Sequence, residues 1–154
     1  MTAISQGLIA EVQIATGEKD LPSAEKIQHW LTTAFPDLEN KLVLIRFVDE
    51  SESAELNLNY RRKHGPTNIL SFPLELPDSV PNDQLGDLVI CTTVTNKEAA
   101  QQQKTTTDHY CHLLIHGVLH LMGYDHLDNQ QAEKMEGLEI KLLKRLGISN
   151  PYIC

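Results

Sequence analysis

Residues 116–126 read His-Gly-Val-Leu-His-Leu-Met-Gly-Tyr-Asp-His, which puts three of the chain's seven histidines in one short stretch. His116 and His120 are four residues apart, so on a helix they stack on one face with Cβ atoms roughly 5–6 Å apart. Imidazoles so placed can converge on one Zn²⁺, at about 2.0–2.1 Å per bond. Gly123 follows His120 by three residues, where a helix can end in a residue of positive φ and let the chain fold back. His126 then comes within reach as a third ligand. Three nitrogens leave the fourth position of a tetrahedral ion open, which marks a catalytic rather than a structural zinc site. We therefore expect one Zn²⁺ per chain at His116, His120 and His126, although imidazole sites also accept Ni²⁺, Cu²⁺ and Fe²⁺. His112 lies four residues before His116 on the same face. A fourth histidine would close the site, so His112 is assigned a place behind the ligands or in the core.

The rest of the composition narrows the setting. At 154 residues the chain suits one domain, residues 1–154, burying roughly 68–70% of its unfolded surface. Cys91, Cys111 and Cys154 are an odd, irregularly spaced set with no C-x-x-C pair. That speaks against a disulfide framework or a thiolate zinc site and for a reducing cytosol. No basic leader opens the chain, Glu11 interrupts the apolar run Leu8-Ile9-Ala10, and no apolar stretch nears the roughly 20 residues of a membrane span. A cytoplasmic location without membrane contact is expected. The net charge of −8 lacks the basic footprint usual for nucleic-acid binders. The local exception is Arg61-Arg62-Lys63-His64.

Residues 8–15 alternate as a half-buried strand. Asp20-Leu-Pro-Ser23 opens a helix whose Ile27, Trp30, Leu31, Ala34 and Phe35 share one face, with Pro36 as its stop. The nearly continuous apolar run 42–48 reads as a central strand buried on both faces, joined to the first by a parallel crossover. Asp49-Glu-Ser-Glu52 offers capping oxygens for a second helix reaching about Arg62. After the turn residues 64–68, Ile69-Leu-Ser-Phe72 ends at Pro73 as an edge strand does. An exposed proline-rich acidic loop runs to Asn82, and 85–91 form the last strand. Thr95-x-x-Glu98 resembles a capping box, Thr105 opens the histidine helix, and Asp128 opens a final helix stopped at Gly147. The expected fold class is α+β, with about five helices on a sheet of about four strands.

Zn²⁺ on three neutral imidazoles supports metal-assisted hydrolysis. In the long zincin signature, His-Glu-x-x-His-x-x-Gly-x-x-His, the Glu is the general base for peptide cleavage. Here Gly117 stands in its place. A peptidase of that type loses its base, so peptide cleavage is the weakest of the hydrolytic readings.

The stretch 116–126 is similar to the signature of the YbeY family, bacterial rRNA maturation factors regarded as metal-dependent endoribonucleases. Leu56-Asn-Leu-Asn-Tyr-Arg61-Arg-Lys63, Pro66-Thr-Asn-Ile-Leu-Ser-Phe-Pro73 and Leu85-Gly-Asp-Leu-Val-Ile90 extend the resemblance over most of residues 55–145. It implies a zincin-like metal helix, a zinc site at His116, His120 and His126, and a substrate-facing Arg61. It also implies a mixed sheet with one antiparallel edge strand, which we assign to residues 69–72. The implied substrate is single-stranded rRNA, cut in 3′-end processing and ribosome quality control. Ribosomal subunits and ribosome-associated proteins are the implied partners, and no DNA is expected. The family usually has an acidic residue after the lysine, where this chain has His64, making the patch more basic.

Chemistry agrees with that implication. Phosphodiester cleavage builds negative charge on phosphoryl oxygens, which a metal and a guanidinium neutralise. Arg61 offers bidentate phosphate recognition, with Arg62 and Lys63 beside it as further substrate contacts. The plain alternative is a solvated helix end whose cations complement the dipole. Asp125 either orients a ligand or shuttles a proton, or it caps the turn after Gly123. Asp87 either faces the cleft or belongs to a turn beside Gly86. Glu136 and Glu139 read as a solvated helix face, His29, His64 and His109 as ordinary surface or core histidines, and Cys111 and Met122 as core. A competing class is a ribosome-assembly or RNA-binding factor whose metal only stabilises the fold.

Overall fold

Val43, Ile45 and Phe47 alternate along one strand and are all fully buried, so this strand defines the principal face of the sheet. It is β2 (Leu42–Val48) in a computed structural model that describes residues 8–38, 41–74, 83–125 and 127–152. β1 (Ile9–Ala15) and β4 (Gln84–Cys91) flank β2, both parallel to it. β3 (Ile69–Pro73) pairs antiparallel with β4 and completes the order β1-β2-β4-β3. The helices are α1 (Ala24–Ala34), α2 (Glu50–Arg61), α3 (Thr92–Gln101), α4 (Thr106–Leu121) and α5 (Asn129–Arg145). This is the expected α+β arrangement, with the short antiparallel strand at the edge. Among the described residues no helix is long and apolar enough to cross a membrane. His126, residues 75–82 of the proline-rich loop and Cys154 lie outside the described residues.

The sheet face bearing Val43, Ile45, Phe47, Leu88 and Ile90 packs against α1, α4 and α5 in the main core. On the other face Val48, Leu70 and Val89 gather Leu56 of α2 and Phe72 into a smaller cluster. Leu114, Ile115 and Val118 of α4 are buried in the main core. Each such side chain contributes about 1.5–3 kcal/mol. That is enough to fix the rotation of α4 about its axis, and with it the direction in which the histidines face.

Several helix starts form as the sequence dictates. Ser23 accepts from Lys26 N at 3.1 Å and Thr105 from Asp108 N at 3.1 Å. Asp128 accepts from Gln131 N at 2.8 Å, while Gln131 Oε1 accepts from Leu127 N at 3.1 Å. Others differ. The N-cap expected at Thr95 lies four residues earlier, at Cys91, because β4 runs directly into α3. Thr95 is inside the helix and donates to Cys91 O at 2.8 Å. Asp49 is the N-cap of α2 but makes no side-chain cap; its carboxylate takes the Thr16 hydroxyl instead. β2 is fully buried on one face only, since Leu44 and Arg46 are half-buried. Arg46 reaches out to Glu52 of α2 through bonds of 2.6 and 3.0 Å. Met122 is 40% exposed rather than core, as it lies at the end of α4 where the chain turns out to solvent.

Candidate active site

The end of α4 is built by hydrogen bonds that its sequence prescribes. Gly123 takes φ 101°, its N–H donates to His120 O at 3.0 Å, and Tyr124 N–H donates to Leu119 O at 3.0 Å. This is the Schellman arrangement, in which a left-handed residue satisfies the last carbonyls and reverses the chain. It brings Gly123, Tyr124 and Asp125 into the wall of the cleft that also contains His116 and His120.

The cleft has a volume of about 1870 Å³ and wraps around β3, the open edge of the sheet. Arg61 and Lys63, at the end of α2, line it on the far side; Arg62 does not line it and is exposed. Arg62 takes the left-handed conformation at φ 55°, ending the helix between its two cleft-facing neighbours. The turn that follows is pinned to α2 by two buried side chains. Ser53 donates to Thr67 O at 3.0 Å, and Asn57 Nδ2 donates to Gly65 O at 2.9 Å.

Glu139 overturns the reading of a solvated α5 face, for it is 0% exposed. Its carboxylate accepts from His116 Nδ1, from His112 Nε2 at 3.2 Å and from the Tyr152 hydroxyl. Burial pulls this carboxyl upward, yet the hydrogen bonds from His112, His116 and Tyr152 outweigh it and hold it down at about 2. It is therefore an anion inside the fold. Burial and the same carboxylate push the Tyr152 phenol up, so Tyr152 acts as the donor. Lys104 Nζ donates to Pro151 O at 3.2 Å and ties this C-terminal segment across the cleft.

The carboxylate also selects the tautomer of His116. With the proton on Nδ1, Nε2 is left as a bare lone pair. That Nε2 lies 3.0 Å from His120 Nε2. Two nitrogens on one tetrahedral zinc, each at about 2.0–2.1 Å, sit about 3.3 Å apart, so the pair already has nearly that spacing. A buried carboxylate behind a ligand histidine is the usual support of such sites. The donor set thus fits a divalent metal. Among the described residues no three His, Cys, Asp or Glu side chains converge for one, and the expected third ligand, His126, lies outside them.

Gly117 is packed between α4 and the sheet. A Cβ built there would be 2.8 Å from Ile69 Cδ1 and 2.8 Å from Leu88 Cδ2. The position of the zincin glutamate therefore points into the core, and no side chain fits there without repacking. Asp87 is neither in the cleft wall nor in a turn; it is a β4 residue accepting from Gln84 Nε2 at 3.3 Å.

A second polar relay links the turn to α4. Asn68 Nδ2 donates to Glu98 Oε1 at 3.1 Å, and the same oxygen is 3.0 Å from Nε2 of the buried His109. The hydrogen bond with His109 holds the Glu98 carboxyl below its ordinary 4.5, against burial and with help from Asn68. A lowered folded value means stability that is present above the ordinary value and lost as pH falls through the lowered one. Wild type will accordingly exceed Glu98→Gln in urea midpoint at about pH 7 by more than at about pH 4. A difference independent of pH would remove Glu98 from the acid response.

The sequence profile of the family described as Endoribonuclease YbeY matches residues 12–147. The chain belongs to this family. The Endoribonuclease YbeY of Coxiella burnetii is 50% identical over 146 residues, covering 92% of this chain and 96% of that protein. Its counterpart from Alteromonas mediterranea is 51% identical over 135 residues, 86% of this chain and 85% of the other. A solution structure of a Thermotoga maritima protein shares the fold, with TM-score 0.58 and 24% identity over 89% of this chain and 92% of that one. The YbeY match runs from within β1 to just past the end of α5, including the segments that carry Arg61, His116, His120 and Glu139.

Proposed function

We propose that this YbeY-family protein is a zinc-dependent endoribonuclease that cuts single-stranded rRNA in 3′-end maturation and ribosome quality control. Its place of work is the cytoplasm, with ribosomal subunits and ribosome-associated proteins as its partners. The reading rests on one observation above all: two imidazole nitrogens converge in the same cleft that Arg61 and Lys63 line. His116, His120 and His126 hold the zinc, which when bound supplies Lewis-acid polarisation of a phosphoryl oxygen. Glu139 keeps the His116 Nδ1 proton in place and so aims Nε2 at the cleft. Arg61 grips the phosphate through its planar fork and neutralises the charge that builds on the phosphoryl oxygens as the bond breaks. Lys63, in the same wall, adds attraction for the adjoining backbone, and Arg62, outside the wall, contributes only to the local positive charge. Asp125, which lines the same cleft, takes or gives a proton in this reading.

The test is a digestion time course on single-stranded rRNA fragments, with elemental analysis of the same preparations. Wild type will hold about one zinc per chain and cut. Chelated protein and His120→Ala will not cut, and Arg61→Ala will cut about 10²- to 10³-fold more slowly with zinc retained. Cutting that survives both chelation and His120→Ala comes from a contaminant and overturns the reading. Zinc-loaded protein that binds RNA and leaves it whole overturns it too, in favour of an assembly factor.

A further inference from the structure

We infer that Tyr60, backed by Phe72, is a base-stacking platform for single-stranded RNA on the far side of the edge strand from the histidines. The inference rests on the endoribonuclease reading and adds to it the way the cleft holds a base. Tyr60 is 67% exposed, although aromatic side chains normally bury their large apolar area. It is not loose, because Phe72 of β3 meets it edge-on with ring centroids 5.0 Å apart and an interplanar angle of 71°. Phe72 is itself anchored in the small cluster with Leu70 and Val89. A ring held from one side with its face open is what an unstacked base needs.

The charge around it names the occupant. Tyr60 adjoins Arg61 and Lys63 in the cleft wall, and all three are exposed. Among the described residues, the stretch of that wall from Tyr60 to Pro73 contains no acidic side chain, and neither cation has an ion-pair partner. In a chain of net charge −8 this is a local cationic strip beside an aromatic ring. An apolar peptide would use the ring but not the strip, while a lipid headgroup or a duplex would offer phosphates but no free planar face to stack on the ring. A single strand uses both. Stacking is tolerant of base identity, so the platform fixes where a nucleotide sits rather than which base it carries.

The experiment is fluorescence anisotropy of zinc-loaded protein with a short 2′-O-methyl oligouridylate over a range of salt. Tyr60→Ala will weaken binding about 5- to 100-fold with an unchanged salt slope, and Tyr60→Phe will restore the affinity. Arg61→Ala will weaken binding and lower the salt slope by about one. Single abasic positions scanned along the oligonucleotide will include one that weakens wild type and is silent in Tyr60→Ala. The platform is overturned if Tyr60→Ala binds within about twofold of wild type while Arg61→Ala binds weakly. It is equally overturned if no abasic position distinguishes the two proteins, or if Tyr60→Phe is as weak as Tyr60→Ala. If wild type binds no single strand and Arg61→Ala changes nothing, the endoribonuclease reading itself fails.

Discussion

Glu139→Gln will lower zinc affinity by about 10- to 100-fold, and Glu139→Ala will do so while also destabilising the metal-free protein. Three donors point at this one carboxylate: His116, His112 and the Tyr152 hydroxyl. Glutamine keeps one acceptor oxygen but turns an NH₂ group toward a second donor. His116 then loses the anion that keeps its proton on Nδ1, and part of its population presents Nε2–H to the cleft. Alanine removes every acceptor and leaves the two half-buried histidines without the carboxylate, at about 1 kcal/mol for each hydrogen bond lost. Because the Glu139 value is lowered to about 2, its stabilising contribution is present above the ordinary carboxylate range. It is lost progressively as pH falls from that range through about 2. Competition with a chelator at neutral pH measures the first effect, and denaturant unfolding of metal-free protein the second. A Glu139→Gln protein that keeps wild-type zinc affinity and is merely less stable would reduce Glu139 to a packing anion.

Tyr152→Phe separates the members of this network. It deletes one of the three donors and leaves the His116 bond intact. Its effect on zinc affinity should therefore be the smaller one, and its effect on stability close to that of a single hydrogen bond, about 1 kcal/mol.

How much of this was legible beforehand depends on the range over which each signal acts. The stop at Gly123 and the caps at Ser23, Thr105 and Asp128 involve residues within a few positions of one another, so the local chain states them outright. The edge strand expected at 69–72 was equally plain, because Pro73 ends a short, mostly apolar run. The His116–His120 pair shares one helical face and needs no tertiary information. Glu139 is different, for its histidine partners lie 23 and 27 residues earlier in the chain and Tyr152 lies 13 later. One sign was nonetheless present: Glu139 falls between Met135 and Leu142 at helical spacing, within the buried stripe of α5. A carboxylate in an apolar stripe demands a buried cation or donor, and a helix rich in histidine can supply one. Glu98 misled because Thr95-x-x-Glu98 satisfies the capping pattern. That pattern carries no information about whether a strand already runs directly into the helix.

Gly86→Ala will destabilise the fold by about 2–4 kcal/mol, combining backbone strain with overpacking. The melting temperature should drop by roughly 5–15 °C. Gly86 has φ 151° and pairs with Pro73 across the β3–β4 ladder. A Cβ there would lie 2.6 Å from Phe72 O, 2.8 Å from Leu121 Cδ2 and 3.1 Å from Pro73 Cα. Two of those three atoms belong to backbone, which cannot rotate aside as a side chain does. The third belongs to the last residue of the histidine helix, so relief of the clash moves β3 and α4 away from β4. Both elements line the cleft, and RNA cleavage should fall along with stability. Gly137 supplies the contrast, since it lies exposed in α5 and nothing is within 4 Å of a Cβ built on it. Gly137→Ala should therefore stabilise by up to about 1 kcal/mol through helix propensity alone. Equal melting temperatures for the two variants would show that the Gly86 contacts relax without cost, and that the placing of β3 and α4 against β4 is not held there.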